Sequence, residues 1–414
     1  MTTTINNEHN KHNVPNLRFP EFQGEWEKFT FDEIAQYKKG PFGSALKKDL
    51  FVPQSENAIK VYEQQNAIKK DWTLSRYYIT KDYFNTHMKQ FVAKAGDLIV
   101  SCAGTIGEVY ELPKDAEEGV FNQALMRVRV NNEIVNKEIF ITVFSSMIDK
   151  FSKIYSNGSA IKNIPPFADL KRTQVYLPCK EEQIVIAQLL RSLDERIATQ
   201  SKIIDKLQTL IKGIMVELQK QGVNKGTWKK VFLSDVLTER NERNTNLFQV
   251  FSVSVSQGVV NQVDYLGRSF AAKDTSKYNV VHYGDLVYTK SPTGSFPYGI
   301  VKQSLSLENV AVSPLYGVYK PKSLAVGAYL HEYFMSEINT HNYLHPLIQK
   351  GAKNTINITN QRFLENCVLL PTNINELLQI SKLLRSLNNK IKYQQDILQQ
   401  YQKQKQYLLR QMFI

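Results

Sequence analysis

Cysteine is scarce in this chain, and so are the sequence motifs of common nucleotide-binding enzymes. The 414 residues include three cysteines, Cys102, Cys179 and Cys367, and no two of them are close in sequence. An odd number without a close pair supports neither a disulfide framework nor a zinc site. There is no Gly-x-x-x-x-Gly-Lys-Ser/Thr loop and no Gly-x-Gly-x-x-Gly motif after a strand. The sequence therefore predicts a protein of the reducing cytoplasm that is not itself an enzyme.

Long hydrophobic runs are also missing. Residues Met1 to Asn13 are polar and lack the apolar run of a signal peptide. No segment has the length of apolar sequence needed to cross a bilayer. Hydrophobic residues still make up 42% of the chain, which is long enough for two or three domains, each with its own core. We expect a folded protein without a membrane partner.

Acidic residues are too few to balance the basic ones. Lys and Arg total 52 against 39 Asp and Glu, which gives a formal charge of +13. This excess favours an acidic polymer as the partner, with nucleic acid as the leading candidate. The alternative is a basic surface with no binding role.

One long stretch occurs twice, as Ile186 to Leu218 and as Ile380 to Met412. Leu189-Leu190-Arg191-Ser192-Leu193 returns letter for letter as Leu383-Leu384-Arg385-Ser386-Leu387. The apolar steps of four and three residues predict a coiled-coil seam, because that spacing keeps one stripe against a partner helix. In the first copy the seam residues are Ile186, Leu190, Leu193, Ile197, Ile204, Leu207, Ile211, Ile214 and Leu218; in the second they are Ile380, Leu384, Leu387, Ile391, Leu398, Tyr401, Leu408 and Met412.

Polar residues interrupt the seam. Gln200 and Gln394 occupy the same heptad position, and Lys405 stands where the first copy has Ile211. A buried polar seam residue costs stability but can fix the register of the two helices. Because both copies lie in one chain, we expect them to pair with each other, antiparallel, about a pseudo-twofold axis. The alternative is a pair of ordinary amphipathic helices packed on globular cores.

The residues outside the helices repeat as well. Trp26 and Trp228 are expected core anchors, and the strand patterns Gly96 to Ser101 and Gly284 to Thr289 each begin with Gly-Asp. Further strands are predicted in Asn122 to Val130 and Asn309 to Tyr319, and helices in Phe140 to Tyr155 and Tyr329 to Ile348. The chain therefore reads as two tandem α/β units of roughly two hundred residues. The residues of the globular parts differ between the two units, so the same order of elements carries different surfaces.

The residues that could contact DNA are basic, amide or hydroxyl side chains in or near predicted loops. Lysines are expected mainly on phosphates, whereas Asn, Thr and Arg are better suited to base edges. For each of them an ordinary solvated side chain is the alternative. The candidates are Lys38, Lys39, Lys47, Lys48, Arg76, Thr105, Lys162 and Asn163 in the first unit, and Lys290, Thr293, Lys302, Lys353, Asn354 and Arg362 in the second.

Two patterns resemble catalytic or metal motifs without matching them. Asn163-Ile164-Pro165-Pro166-Phe167 is similar to the Asn-Pro-Pro-Phe/Tyr motif of amino-methyltransferases, but Ile164 interrupts it. His341 and His345 have the spacing of a metal pair, although no Glu follows His341 as a metalloprotease motif requires. We predict no metal site. Asp97 and Asp285 are better explained as turn residues than as catalytic carboxylates.

Four features of the sequence point to one family: the tandem units, the arm from Asn13 to Phe22 followed by Trp26, the Gly-Asp strand motifs and the repeated Leu-Leu-Arg-Ser-Leu helices. With these features the chain resembles the specificity subunit of type I restriction-modification systems. The resemblance implies two mixed α/β target-recognition domains, separated by two long helices that form an intramolecular antiparallel coiled coil. Each domain would read one half of a bipartite, asymmetric site in double-stranded DNA.

The resemblance also implies the partners and their cofactors. These are two methyltransferase subunits that use S-adenosylmethionine, and restriction subunits that use ATP and Mg²⁺; this chain itself would hold no cofactor. The expected boundaries are an arm at 1–23, recognition domains at 24–178 and 223–371, and helical regions at 179–222 and 372–414. Two other classes of protein remain as alternatives, a stand-alone DNA-binding regulator with two modules and a cryptic DNA methyltransferase or nuclease.

Overall fold

The computed structural model describes residues 13–155, 164, 166–350 and 356–413. The chain divides into two compact units. The first consists of Met1–Ile197 with Gln400–Ile414, and the second of Ala198–Gln399. Of the helices described, none is both long and apolar enough to span a bilayer.

The first unit is built from short strands and a few helices. Its strands are β1 (Glu27–Thr30), β2 (Ala35–Lys39), β3 (Ala58–Tyr62), β4 (Tyr78–Thr80), β5 (Val92–Ala93), β6 (Leu98–Ser101), β7 (Val109–Glu111), β8 (Gly119–Phe121), β9 (Leu125–Val130) and β10 (Gln174–Leu177). Its helices are α1 (Phe31–Ile34), α2 (Gln64–Lys69), α3 (Lys81–Tyr83), α4 (Lys137–Tyr155), α5 (Phe167–Arg172) and the start of α6 (Lys180–Asn224).

A four-stranded antiparallel sheet in the order β2-β9-β6-β7 forms the centre of the first unit. Helix α4 packs its apolar face on this sheet, where Phe140 and Phe144 stack on each other with ring centroids 5.4 Å apart. A second sheet has the order β4-β3-β8-β5, in which β3 and β8 run parallel. Strands β1 and β10 pair separately.

The second unit repeats this plan with different additions. Its strands are β11 (Trp228–Phe232), β12 (Leu237–Glu239), β13 (Phe251–Ser254), β14 (Gly258–Asn261), β15 (Asn279–Val281), β16 (Leu286–Tyr288), β17 (Val301–Gln303), β18 (Val310–Val312), β19 (Gly317–Pro321), β20 (Gln349–Lys350), β21 (Ile356–Asn357) and β22 (Cys367–Pro371). Its helices are the rest of α6, α7 (Leu233–Val236), α8 (Gln262–Leu266), α9 (Leu324–Tyr333), α10 (Glu337–Leu344), α11 (Asn360–Phe363) and α12 (Ile374–Gln411), whose last turns belong to the first unit.

The central sheet of the second unit has the order β12-β19-β16-β17, again all antiparallel. This matches the order of the first unit strand for strand. The pair β15-β18 corresponds to β5-β8, and the pair β11-β22 corresponds to β1-β10. The repeat predicted from the sequence is therefore a repeat of topology as well.

Two predicted elements of the second unit are divided in the structure. The stretch Asn309 to Tyr319 contains β18 and the start of β19, with a turn between them. The predicted helix Tyr329 to Ile348 begins earlier, at Leu324, and breaks after Tyr333. Ser336 begins the next helix, because its side chain accepts a hydrogen bond from the Asn339 backbone N–H at 3.3 Å.

The two long helices pack against each other inside each unit. In the first unit, Lys405 pairs with Asp194 at 2.5 Å, and the Arg196 guanidinium lies 6.0 Å from the Tyr401 ring. Leu190 and Met412 share a core cluster, so the partner number falls as the α6 number rises, as antiparallel packing requires. In the second unit, Gln200 Nε2 donates to the Gln394 carbonyl at 3.1 Å. Every predicted seam residue is buried or half-buried.

Glycine near the end of α6 has a packing role that the sequence did not predict. Gly222 was expected to mark the helix exit, but it lies within α6, and a Cβ there would be 2.1 Å from Trp228 Cδ1. The helix ends at Asn224, and Gly226 takes the left-handed conformation that lets the chain turn. Trp26 and Trp228 are both buried. Glu376, in the first turn of α12, accepts a hydrogen bond from Trp228 Nε1 at 2.8 Å.

The repeated aspartates are turn residues, as expected. Asp97 Oδ2 accepts from the Lys94 N–H at 3.1 Å, and Asp285 Oδ2 accepts from the His282 N–H at 2.8 Å. An arginine makes two hydrogen bonds to each carboxylate, at 2.6 and 3.0 Å in both units: Arg129 to Asp97 and Arg240 to Asp285. Bidentate pairing of this kind satisfies a buried charge and fixes the turn.

Candidate nucleic-acid interface

Four of the predicted lysines of the first unit lie in and beside the loop that follows β2. Lys39 is the exposed last residue of β2, and two short 3-10 turns follow it, Gly43–Ala45 and Lys48–Leu50. Lys47 and Lys48 are exposed at the start of the second turn. Lys38 is half-buried, and its Nζ donates to Gln90 Oε1 at 2.8 Å. We call residues 39–50 the lysine loop. Its exposed side chains carry three positive charges and the single negative charge of Asp49, so the loop stays attractive to an anion.

The lysine loop is fixed at both ends. Gly40 N donates to the Leu125 carbonyl at 3.0 Å, and a Cβ on Gly40 would lie 2.0 Å from the Asn122 carbonyl oxygen. Only glycine can approach the backbone that closely. At the other end Leu46 is buried, and Tyr83 OH donates to the Ala45 carbonyl at 2.9 Å. The loop is thus held in one conformation before any ligand binds.

Arg76 is a further predicted residue of the first unit and lies near this loop. The rings of Phe51 and Tyr77 stack with centroids 4.2 Å apart, and the Arg76 guanidinium lies 4.9 Å from the Tyr77 ring. Arg76 is therefore next to the end of the lysine loop.

Thr105 is exposed on the loop after β6, and its carbonyl accepts from Gln64 Nε2 at 3.2 Å. That loop joins the turn before β9 through Cys102 N and the Ala124 carbonyl, 2.8 Å apart. The same turn carries Asn122, against which Gly40 packs. The fold therefore brings the lysine loop and the Thr105 loop together on one turn, although they are 60 residues apart.

The candidates of the second unit are less exposed. Lys290 is half-buried at a φ of +60°, and burial lowers the pKa of its ammonium group. Thr293 lies in the turn between β16 and β17, where its Oγ1 donates to the Ser291 carbonyl at 3.0 Å. Both remain at the end of the strand hairpin that corresponds to the Thr105 loop.

Two candidates of the second unit are engaged inside it. Lys302 is 3% exposed, and its Nζ donates to the Val255 carbonyl at 2.6 Å; burial lowers its pKa to about 8. Arg362 Nε donates to the Leu347 carbonyl at 3.0 Å, and its Nη1 lies 3.6 Å from Glu365. Both side chains tie elements of the unit together, so we leave them out of the proposed contact set. Lys162, Asn163, Lys353 and Asn354 lie outside the described residues.

The histidine pair shows no metal-like arrangement. The His341 and His345 rings stack at 5.1 Å and pack on Tyr298. Within the described part of the chain, no three or more His, Cys, Asp or Glu side chains are grouped so that they could hold a metal ion.

Comparison with known proteins identifies a family for part of the chain. The model of the type I restriction modification DNA specificity domain matches residues 23–209. Residues 23–209 belong to the type I restriction-modification DNA specificity family. The family predicted from the sequence is confirmed for these residues, and the lysine loop, Arg76 and Thr105 all lie within them.

Solved structures support the fold of the whole chain. The S subunit of a type I restriction-modification system from M. genitalium is 13% identical, with 97% of this chain and 99% of that chain covered and a TM-score of 0.56. A second chain comes from a structure of the type I R-M system concerned with complex assembly and conformational transition. It is also 13% identical, with 93% and 96% covered and a TM-score of 0.50. The predicted fold class, two mixed α/β domains with long paired helices, is confirmed.

Several exposed residues near these loops were not predicted from the sequence. In the specificity domain, Phe42 stands in the lysine loop and is 89% exposed. In the second unit, the Arg268 guanidinium lies 4.5 Å from the Phe270 ring. Ser269, which lies between these two residues in sequence, lines an open cleft of about 460 Å³ together with Asn261 and Gln262 among others. The alternation of basic and aromatic letters at Arg268 and Phe270 was the available signal.

Proposed function

We propose that this chain is the specificity subunit of a type I restriction-modification complex, with each unit reading one half of a bipartite, asymmetric DNA site. The observation that supports this most directly is that the two units share a central sheet and differ in their loops. The central sheets have the same strand order in both units, whereas the loops they carry differ in length, charge and side chains. A common frame with unlike loops suits two readers of different base sequences.

In this proposal the residues have separate roles. Lys39, Lys47 and Lys48 bind phosphates and position the first unit, while Arg76 and Thr105 reach base edges. In the second unit Lys290, Thr293 and Arg268 take the corresponding roles. Phosphate contacts fix orientation without carrying sequence information, so the two sets make different predictions about specificity.

We further propose that the paired helices are the scaffold for two methyltransferase subunits. These subunits bind S-adenosylmethionine and methylate adenine, and restriction subunits with ATP and Mg²⁺ complete the complex. Exposed apolar residues on the helices are compatible with a protein-binding role, since a partner that covers them removes apolar area from water. They include Leu210 and Val216 on α6 and Tyr393 and Tyr407 on α12. This chain would supply the address in a cytoplasmic complex and no catalytic step.

The test of this proposal is the genome-wide map of methylated adenines in cells with and without the gene. We expect one asymmetric, two-part motif to disappear with the gene. Exchanging residues 24–170 for those of a relative should change one half of that motif and leave the other. A change in both halves would contradict independent reading.

The rival classes give different results. A stand-alone regulator would bind its site without partners, so a methyltransferase that co-purifies with the chain argues against it. A cryptic enzyme would methylate or cut DNA as the purified chain alone. The idea that helix length sets the spacer stays a prediction. It is tested by adding one heptad to α6 and one to α12, which should lengthen the spacer and keep both half-sites.

A further inference from the structure

Phe42 is an apolar side chain that is exposed to solvent. It is 89% exposed on the lysine loop, whereas most phenylalanines contribute to a core. Burying such a side chain is favourable, because it removes a large apolar area from water. An aromatic ring displayed on a fixed loop therefore has free energy available for a partner that covers it.

The backbone on both sides of Phe42 is already ordered. Pro41 is buried, and Ala45 N donates to the Phe42 carbonyl at 2.9 Å to close the first 3-10 turn. Together with the close approach of Gly40 to Asn122, these contacts leave the ring little backbone freedom to lose on binding. Preorganisation of this kind is what raises the affinity of a contact.

The second unit also displays an apolar side chain in the connection that follows the first strand of its central sheet. Leu247 follows the first strand of the central sheet, as Phe42 does, and is 69% exposed. Its φ is +54°, a left-handed conformation that is unfavourable for a residue with a Cβ. The buried Asn244 imposes it, because its carbonyl accepts from Leu247 N at 3.2 Å and its Oδ1 from Phe248 N at 2.7 Å.

Resting on the proposed function, we propose that Phe42 and Leu247 are wedges that insert between neighbouring base pairs, one in each half of the DNA site. Apolar wedges that partly unstack a base step and kink the duplex are a known mode of DNA binding. The cost of unstacking depends on the step, and pyrimidine–purine steps are the easiest to open. Each wedge therefore adds selectivity at a base pair that no polar side chain touches.

The charge around Phe42 favours DNA over a protein pocket. Lys39, Lys47 and Lys48 surround the ring in sequence and are all exposed. Lysine is depleted at the centres of protein interfaces but binds phosphates on either side of an inserted side chain. Around such a ring, the lysines and the wedge would act on the same short stretch of duplex.

The experiment uses the full chain with its co-purifying methyltransferase and a duplex that carries the mapped methylation site. 2-Aminopurine replaces each adenine on either strand in turn, except the methylated one, and its fluorescence rises where it is unstacked. We expect the wild type to give a rise at one step in each half-site. F42A should abolish the rise in the first half only, and L247A in the second half only, each with about tenfold weaker binding.

The matched control is K47A in the same loop. Loss of a phosphate contact should reduce the salt dependence of binding by about one charge and leave the fluorescence pattern unchanged. F42A should do the reverse, with an unchanged salt dependence and a lost signal. F42L keeps an apolar side chain and should retain part of the signal, which separates a wedge from a misfolded loop.

Two results would overturn the wedge proposal while the proposed function stands. One is an F42A complex that binds and unstacks the mapped site as the wild type does. The other is an F42A chain that no longer co-purifies with the methyltransferase, because Phe42 would then be a protein contact. If the wild-type complex neither methylates nor binds any site, the proposed function itself fails.

Discussion

The same aspartate follows the same glycine in both units, but a different strand supplies the arginine that holds it. Arg129 lies on β9, whereas Arg240 follows directly after β12. The Arg129 position corresponds to Lys320 in the second unit, because Val130 pairs with Ala35 as Pro321 pairs with Leu237. By the same register Arg240 corresponds to Lys38. Each unit therefore has lysine where the other has its arginine.

This exchange shows that the fold requires an arginine beside the buried aspartate but does not require it on one particular strand. A carboxylate buried at the start of β6 or β16 needs a charged donor, since an unpaired buried charge is very costly. Two adjacent strands can deliver that donor. The strand that does not supply the arginine can carry another residue at that position. In the first unit this residue is Lys38, whose Nζ donates to Gln90.

The additions to the two sheets differ in the same way. In the first unit β3 runs parallel to β8 over three residue pairs, whereas in the second unit a single bridge from Val250 to Ala311 takes that place. In the second unit the β13-β14 hairpin and α8 lie between β12 and β15 in the chain. The central sheet is common to both units, and the loops at its edge are where they diverge.

The largest effect is expected from breaking the arginine pairs. R240A should destabilise the second unit by about 3 kcal/mol, because it leaves Asp285 buried and unpaired. R129A should cost less in the first unit, since the Arg129 side chain is 36% exposed against 17% for Arg240. Hydrogen exchange of β16 and β6 amides measures the two losses separately.

The exchange of positions can itself be tested. K38R in the R129A background moves the arginine of the first unit to the strand used by the second, and we expect it to recover at least half of the lost protection. K39R in the same background is the control, because Lys39 is exposed. Equal recovery by both variants would mean that added charge, and not position, restores the turn.

The tryptophans give a smaller difference. Trp228 Nε1 donates to Glu376, whereas Trp26 Nε1 is buried with no partner among the described residues and its ring packs edge-on against Phe413. Both Trp→Phe changes remove similar ring area, but W228F also removes a hydrogen bond to a carboxylate. We expect W228F to cost about 1–2 kcal/mol more than W26F, measured by amide exchange in β22 and β10. Equal losses would argue that the hydrogen bond adds nothing to stability.

The smallest effect concerns pH. The folded-state pKa of Lys302, lowered to about 8 by burial, lies below the ordinary value near 10.4. Between these values the unfolded chain holds more protons, so raising the pH favours the folded unit. K302M should therefore be more stable than wild type at pH 8, and its advantage should shrink by about 1 kcal/mol by pH 9 in urea unfolding. Tyr110 occupies the corresponding position of the first unit, so β6 exchange should not show this change.

The sequence was most informative where a pattern is local and periodic. The heptad seam predicted both long helices, since each seam residue must face a partner for the spacing to persist. The paired glutamines were recognised as equivalent positions, and in the second unit they do contact each other. The turn role of Asp97 and Asp285 followed from the residues before a strand.

Sequence was least informative where a residue's surroundings come from distant parts of the chain. Lys302 was expected on DNA because its letter is basic, yet β17 carries it into a core beside Val255 and Glu332. Gly222 was assigned to a helix end, although its lack of a Cβ makes room for Trp228. Phe42 was passed over as one more apolar residue. No local pattern distinguishes a buried phenylalanine from one held at a loop tip.

The sequence by itself determined the repeat and the heptad frame of the two long helices, because each is encoded by spacing along the chain. The tertiary structure decided which arginine reaches each aspartate, which lysines face water and which loops meet on the turn at Asn122. These outcomes depend on strand register and burial, so residues far apart in sequence set them together. The candidate interface belongs to this second class, since the fold brings Lys39 and Thr105 to one turn.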